Sequence, residues 1–391
     1  MRRAGVPGLA LALAVLAAAP AQAAGAAREQ DSWSTDQARV PAARAAGLDG
    51  EGVVVAVLDT WVDRTHPDFQ GRVLEGADCI GGTCRAGQRT DSCDHGTHVA
   101  GTVAATSYGV APRARVLPVR VLALEKASGD CVGRPQDVAA GIRWAVVQGA
   151  QVVNLSLGAD AQRVATDSAI PQAVDAAAEA GALVVFSAGD DDLPVADTYG
   201  GRALVVAATG PDGQLASYSQ HGRGISPAAP GGDPEVPGSC TQQDCVTSLY
   251  PKGGYAVAAG TSMAAPLVSG VAALLLGQDP TRTPRQLARR LLSTARPLAE
   301  AGAGTVDAAA ALGLRRAVRA SSPTPAPLRA AASEPPPASP LPSSAAPRPV
   351  AEPVALEQPA APALPAGLEA LAGGLVLAGA GGVPTAGRRS R

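Results

Sequence analysis

Unbroken apolar runs, separated by stretches with a helical period, are the feature that most restricts the fold of this chain. The runs are VVVAVLD from Val53, RVLPVRVL from Arg115, QVVNLSLG from Gln151 and ALVVFSAG from Ala182. Continuous β-branched runs, unlike strict alternation, indicate strands that are buried on both faces. Strands separated by helices indicate right-handed parallel crossovers. The sequence therefore predicts an α/β fold, a doubly wound and mostly parallel sheet with helices on both faces.

The composition allows a large core and excludes one class of partner. Hydrophobic residues make up 46% of the 391 residues, but aromatic residues make up only 3%. The core must therefore consist mainly of Ala, Val and Leu, which suits helices packed closely on a parallel sheet. The formal net charge is −2, and no basic stretch carries aromatic residues that could stack on bases. We therefore expect no nucleic acid partner.

Three short motifs each place a reactive group beside a regular element. Asp59 ends VVVAVLDT, His95 opens the helical part of DHGTHVAGT, and Ser262 lies in AGTSMAAPLVSG. A hydroxyl, an imidazole that takes its proton and a carboxylate that holds the imidazole in one tautomer form a nucleophilic relay. Each motif alone has an ordinary alternative: a turn aspartate, a helix start or metal-like His pair, and an N-cap serine for a helix over 263–276. Pro266 would then suit the first turn of that helix.

Taken in this order, the motifs resemble those of the subtilisin-like serine proteases, the subtilases. NLSLG at 154–158 and SAG at 187–189 lie between them as they do in that family. The resemblance covers about residues 37–314 and implies a subtilisin-like fold. It also implies a secreted serine endopeptidase that hydrolyses peptide bonds of peptides or proteins through an acyl-enzyme. We expect such a protein to be a monomer.

The resemblance assigns the relay to Asp59, His95 and Ser262. The match to VAVLDT selects Asp59 rather than nearby Asp63. The match to HGTHVAG selects His95, and we expect His98, one turn further along, to be packed inside.

The resemblance also implies binding residues. The peptide main chain would pair along an extended edge formed by Ser156, Leu157 and Gly158. A wall of the first specificity pocket would consist of Ser187, Ala188 and Gly189. Subtilases often hold structural calcium, but its ligands cannot be assigned in this sequence, and we expect catalysis to need no cofactor or metal.

Asp190 departs from the family pattern, because subtilases usually have asparagine in a stretch like SAGN. That amide donates to the oxyanion, and in subtilisin, the reference case, its loss costs about 10²–10³-fold in turnover. Three interpretations stay open. Asp190 is protonated and donates, as in certain subtilases of the proprotein-processing group that carry Asp here. Alternatively, it is ionised and the enzyme is slow, or the chain is a catalytically silent scaffold that acts as an envelope-associated binding protein.

Six cysteines are consistent with an oxidising compartment. Two pairs bracket tight loops, which leaves a third pair, so the predicted disulfides are Cys79–Cys84, Cys240–Cys245 and Cys93–Cys131. This is one of fifteen connectivities, and a thiol or metal role is the alternative.

The two ends of the chain differ from its middle. Residues 1–23 contain two arginines, an apolar run and an Ala-Gln-Ala site, which predicts a signal peptide and an exported protein. The peptidase domain is expected over 24–314. A Pro/Ala-rich stretch over 315–366 predicts a disordered linker. Residues 367–391 contain an apolar stretch and a terminal basic cluster, which resembles a C-terminal membrane or sorting anchor, with a disordered tail as the alternative.

Overall fold

The computed structural model of this chain describes residues 17–18, 32–126, 130–157, 169–195, 197, 199–236 and 239–314. The chain divides into two units, Met1–Ser322 and Pro323–Arg391, and the second lies wholly outside the described residues. The predicted linker at 315–366 and the segment at 367–391 therefore lie outside them, as does the predicted signal peptide apart from residues 17–18. These three assignments stay predictions.

Strands and helices alternate along the described residues as the apolar runs predict. The strands are β1 (Ala17–Ala18), β2 (Val54–Asp59), β3 (Ala77–Asp78), β4 (Arg85–Ala86), β5 (Arg115–Arg120), β6 (Ala123–Leu124), β7 (Cys131–Val132), β8 (Val152–Leu155), β9 (Leu183–Ser187), β10 (Ala203–Thr209), β11 (Ala228–Pro230), β12 (Val246–Tyr250) and β13 (Gly254–Ala258). The helices are α1 (Trp33–Gln37), α2 (Val40–Ala45), α3 (His95–Ala104), α4 (Pro135–Val147), α5 (Ala169–Glu179), α6 (Thr261–Gln278), α7 (Pro284–Ser293) and α8 (Ala308–Ala311), with a 3₁₀-helix at Pro67–Phe69.

Eight of these strands form one sheet in the order β11-β10-β9-β8-β2-β5-β3-β4. Neighbouring strands in it are parallel except β3 and β4. Strand β5 lies beside β2 on one side. Strands β8, β9 and β10, which come later in the chain, follow in that order on the other side of β2. Such a reversal opens a crevice at the carboxyl ends of the central strands. The predicted doubly wound, mostly parallel α/β fold is confirmed, and Asp59 ends β2 at this crevice.

Side chains of β2 alternate between two buried hydrophobic layers. Val55 and Val57 belong to the layer that contains α3 and α6. Ala56 and Leu58 belong to the layer that contains α4 and α5. Because both faces of the strand are covered, its sequence is continuously apolar rather than alternating.

Helix α6 is a core helix that depends on small residues. Every residue from Thr261 to Leu276 is buried. A Cβ on Gly270 would stand 2.5 Å from the Cβ of Val110, so glycine permits this close contact. Among the described residues, α6 is long and apolar enough to cross a membrane, but 89% of it is buried inside the molecule.

The start of α6 differs from the sequence expectation. The helix begins at Thr261 with Gly260 as its N-cap, so Ser262 is its second residue and not its N-cap. Pro266 is therefore the sixth helical residue rather than part of the first turn. We expected Pro266 in the first turn because a proline further inside a helix lacks the N–H that donates to the carbonyl four residues earlier. The structure shows that this expectation was wrong. Here the hydroxyl of Ser156 donates to the carbonyl oxygen of Ser262, which Pro266 leaves without its usual donor.

Three disulfides link Cys79 to Cys84, Cys93 to Cys131 and Cys240 to Cys245, the same pairs that the sequence favoured. The Cys93–Cys131 bond holds the segment just before α3. Asp91 holds the same segment, since its carboxylate accepts from Arg120 Nη2 at 2.5 Å and from the backbone N–H of Cys93 at 2.9 Å. The chain that leads into His95 is therefore fixed by a covalent bond and a partly buried ion pair.

Replacing Cys93 and Cys131 together by serine is expected to lower the free energy of unfolding by about 4 kcal/mol. The bond joins residues 38 apart, so its removal frees a long loop in the unfolded chain. The matched control is the Cys240/Cys245 pair, with a separation of 5, for which the same reasoning gives about 2 kcal/mol. Denaturant unfolding measures both, and equal losses would contradict the loop-length explanation.

Candidate active site

Asp59 and His95 form a buried hydrogen-bonded pair at the carboxyl end of β2. The Nδ1 atom of His95 lies 2.8 Å from Oδ1 and 3.0 Å from Oδ2 of Asp59. Asp59 is fully buried, and its Oδ1 also accepts the backbone N–H of Thr60 at 2.7 Å. A carboxylate at Nδ1 keeps the ring proton there and leaves Nε2 as the basic nitrogen.

The start of α3 approaches the end of β2 closely enough to make this pair. The backbone N–H of Gly96 donates to Thr60 Oγ1 at 2.8 Å. A Cβ on Gly96 would stand 2.8 Å from the carbonyl oxygen of Trp61. Glycine after the histidine is therefore required by packing, and it brings His95 to the strand end.

The charges around His95 favour its protonated form. Burial alone would lower the pKa of His95, but the charge and hydrogen bond of Asp59 outweigh it, and the charge of Asp190 adds to their effect. The pKa of His95 is therefore raised above its usual value. This imidazole can accept a proton and hold it beside a carboxylate.

The two competing residues have other partners. His98 is fully buried, its Nε2 donates to the carbonyl oxygen of Val246 at 3.1 Å, and burial together with the nearby His95 lowers its pKa to about 3. Asp63 accepts from Thr65 through Oδ1 and from the backbone N–H of Lys252 through Oδ2. His98 is thus a neutral core residue, and Asp63 stabilises a turn.

Ser262 lies at the second position of α6, where regular helix geometry provides no intrahelical acceptor for its backbone N–H. Its hydroxyl donates to the carbonyl oxygen of Ser156 at 3.4 Å. The positive end of the helix dipole also lies here and favours negative charge. The site therefore combines a hydroxyl and a region that stabilises an oxyanion.

Asp190 lies beside the start of α6. Its Oδ1 accepts from both the backbone N–H and the hydroxyl of Thr261, each at 2.8 Å. The hydroxyl of Thr261 in turn accepts the backbone N–H of Gly189 at 3.0 Å. Burial raises the pKa of Asp190, although the hydrogen bonds from Thr261 and the charge of His95 oppose the rise. Asp190 thus connects electrostatically to His95 and by hydrogen bonds to the residue before Ser262.

The two segments assigned to substrate binding lie next to each other. Ser156 and Leu157 follow β8 and are buried, and the Ser187 hydroxyl donates to the carbonyl oxygen of Leu157 at 2.9 Å. Gly189 has φ of 112°, in the region that favours glycine, and a Cβ there would stand 2.7 Å from the side-chain amide of Gln220. Ala188, which lies between Ser187 and Gly189 in the sequence, is also buried. Gly158 lies outside the described residues, so its role stays a prediction.

Sequence reasoning assigned no role to three residues that support this site, although it placed Asn154 at a strand end. Thr261 holds Asp190, and Asn154 and Ser269 form a hydrogen bond at 2.8 Å behind the nucleophile candidate. One signal was available: Ser262 and Ser269 are seven residues apart in a largely apolar helix and therefore lie on the same face. Their partners on β8 depend on tertiary contacts and cannot be read from spacing.

Metal ligands do not cluster in the part of the chain that the structure describes. Among those residues, no group of three or more His, Cys, Asp or Glu side chains could hold a metal ion. Structural calcium therefore stays a prediction without assigned ligands.

Comparison with known proteins gives a consistent result. The family that matches residues 50–313 is the Subtilase family. "Subtilisin Savinase" of Lederbergia lenta is 38% identical over 290 residues, which cover 71% of this chain and 97% of that protein. "M-protease" of Shouchella clausii is also 38% identical over 290 residues, 71% of this chain and 69% of its own length.

Solved structures agree with these relatives. A structure titled "Proteases from Pseudoalteromonas arctica PAMC 21717" is 35% identical with a TM-score of 0.60, and the match covers 71% of this chain and 93% of that one. A "cold adapted subtilisin-like serine proteinase" is 32% identical with a TM-score of 0.55, over 66% of this chain and 88% of that one. With its family match over most of the described residues and this fold, the chain belongs to the subtilase family and is a serine-type endopeptidase.

Proposed function

We propose that this endopeptidase acts through Asp59, His95 and Ser262 and forms an acyl-enzyme on Ser262. The observation that carries the proposal is the buried pair between His95 Nδ1 and Asp59, which leaves Nε2 as the base at the crevice where α6 begins. The raised pKa of His95 supports the same role, because a base must hold the proton that it takes.

The reaction follows from these positions. His95 Nε2 takes the proton of the Ser262 hydroxyl as Oγ attacks the peptide carbonyl carbon. The tetrahedral intermediate collapses, the C–N bond breaks, and His95 returns the proton to the leaving amine. Water then attacks the acyl-enzyme with His95 again as base, which releases the new carboxylic acid and restores the Ser262 hydroxyl.

We assign the oxyanion position to the backbone N–H of Ser262 and to the side chain of Asp190. Asp190 supports this role only when protonated, because a carboxylate would face the developing negative charge. Its Oδ1 already accepts two hydrogen bonds from Thr261, so the proton belongs on Oδ2. Burial raises the pKa of Asp190 and thereby favours this neutral form.

We further propose that Ser156, Leu157 and Gly158 pair with the substrate main chain, and that Ser187, Ala188 and Gly189 form a wall of the first specificity pocket. The proximity of Leu157 and Ser187 supports this assignment. We also propose export through residues 1–23, with the three disulfides as support, since such bonds persist in oxidising compartments. An anchor at 367–391 and a monomeric state stay predictions.

Fluorophosphonate labelling tests the nucleophile assignment. We expect wild-type protein to be labelled on Ser262, and Ser262→Ala to abolish the label. His95→Ala is expected to reduce the labelling rate by about 10³-fold or more, because the hydroxyl loses its base. Ser248→Ala is the matched control, since this buried hydroxyl donates to the carbonyl oxygen of His98 outside the site. Mass spectrometry of the labelled peptide identifies the modified residue.

A second labelling result would contradict catalysis in the wild-type protein. If wild type is not labelled but Asp190→Asn is, the carboxylate of Asp190 prevents catalysis in the wild-type protein. That outcome would replace the endopeptidase proposal by the binding-protein alternative, for which the comparisons provide no support.

The rate gain from Asp190→Asn is expected to increase with pH. Wild type needs neutral His95 and protonated Asp190, and it loses the second condition as the pH rises through the raised pKa of Asp190. The asparagine amide donates at every pH, so at alkaline pH the gain approaches about 10²–10³-fold in kcat. A protonated Asp190 contributes no charge at acid pH, so the acid limb of kcat/KM, which reports His95, is expected at nearly the same pH in both proteins.

Peptide hydrolysis from about pH 5 to pH 10 measures both effects, the range being chosen around the ordinary pKa of histidine. Asp191→Asn is the matched control: it keeps Asp190 at the oxyanion position, and because the Asp191 charge raises the pKa of Asp190, it should move the alkaline loss to lower pH without abolishing it. A pH-independent ratio of the two rates, or a slower Asp190→Asn variant, would contradict the proposed role of Asp190.

A further inference from the structure

The first turn of α6 lacks one of its own hydrogen bonds. In a regular helix the N–H of residue 266 would donate to the carbonyl oxygen of residue 262, four positions earlier. Pro266 has no N–H, so the carbonyl of Ser262 lacks the i→i−4 donor of a regular helix. A buried carbonyl that loses its donor without gaining another is destabilising. The backbone of the proposed nucleophile therefore needs a partner from outside the helix.

Ser156 provides that partner from the end of β8. Its Oγ donates to the carbonyl oxygen of Ser262 at 2.8 Å. Its own carbonyl oxygen accepts the Ser262 hydroxyl at 3.4 Å. The strand end and the nucleophile turn are thus joined at two points, one through the backbone of Ser262 and one through its side chain.

Two further side chains complete a directed chain of hydrogen bonds behind Ser156. Asn154 Nδ2 donates to Ser156 Oγ at 3.0 Å, and Ser269 Oγ donates to Asn154 Oδ1 at 2.8 Å. Ser156, Asn154 and Ser269 are all fully buried. Each hydroxyl or amide donates toward the Ser262 carbonyl, so the donors reinforce one another in a dry environment.

We propose that Ser156, Asn154 and Ser269, hereafter the Ser156 relay, position the nucleophile by replacing the hydrogen bond that Pro266 removes. This inference rests on the proposed role of Ser262 and adds positioning residues to it. The relay fixes the first turn of α6 to β8, and therefore sets the distance of Ser262 Oγ from its base. None of the three side chains reacts with substrate in this scheme.

A double-mutant cycle between Ser156→Ala and Pro266→Ala tests the relay. Ser156→Ala is expected to lower kcat about 10- to 100-fold with little change in KM, since the nucleophile loses its position. In the Pro266→Ala background an N–H returns to the helix and can donate to the Ser262 carbonyl. The same serine change should then cost no more than about threefold, because the carbonyl no longer depends on Ser156. The fluorophosphonate labelling rate should show the same coupling.

The controls separate positioning from general loss of stability. Ser248→Ala removes a buried hydroxyl that also donates at 2.8 Å to a backbone carbonyl, but away from α6, so it should lower stability without changing kcat. Ser269→Ala removes only the remote end of the relay and should lower kcat by about two- to fivefold. If Ser156→Ala does not fold, an unchanged labelling rate in Ser269→Ala overturns the relay.

Each outcome decides between the relay and the proposed function. A Ser156→Ala loss that is equally large in both backgrounds overturns the relay while leaving the nucleophile assignment intact. Absence of Ser262-dependent labelling in wild type overturns the proposed function and, with it, any positioning role. Denaturant unfolding of the same four proteins measures the coupling without activity, and no coupling there would show that the Ser156 hydrogen bond does not compensate for Pro266.

Discussion

The burial of α6 from Thr261 to Leu276 is the constraint on which the site depends. An apolar helix that is buried from Thr261 to Leu276 has to lie against the sheet, and its first turn then meets the crevice where β2 ends. Ser262, the proposed nucleophile, therefore lies on a buried helix rather than on a loop. The same burial requires every polar group of α6 to find a partner inside the molecule, which Ser269 does through Asn154.

The electrostatics of the site balance two carboxylates against one imidazole. Burial lowers the pKa of His95, the charge and hydrogen bond of Asp59 raise it more strongly, and Asp190 raises it further when that residue is ionised. Burial favours the neutral form of Asp190, whereas the hydrogen bonds from the N–H and hydroxyl of Thr261 favour the ionised form, and the net effect is a raised pKa of Asp190. The protonation state of Asp190 therefore depends on how dry the crevice is, which bound substrate would increase.

The sequence predicted the sheet because strands that are buried on both faces have continuous apolar sequences. It also indicated Asp59, His95 and Ser262, since each lies at a strand end or helix start with a family motif around it. The helix start at Thr261 and the internal position of Pro266 were missed, because local rules exclude proline there and only a tertiary donor removes the objection. The donor Ser156 and the acceptor Ser262 lie more than 100 residues apart in the sequence, so sequence spacing carries no information about their contact.

A helix that contains proline one turn after the proposed nucleophile does not determine its own first turn. The carbonyl of Ser262 is held by Ser156, which follows β8, and the N–H of Thr261 is held by Asp190, which follows β9. The position of the hydroxyl is therefore set by two strand ends and not by helix propensity. Since the proposed substrate edge begins at Ser156, a peptide that pairs there would contact the same residue that fixes the nucleophile. If both proposals hold, substrate binding and the geometry of the proposed nucleophile are coupled through one buried serine.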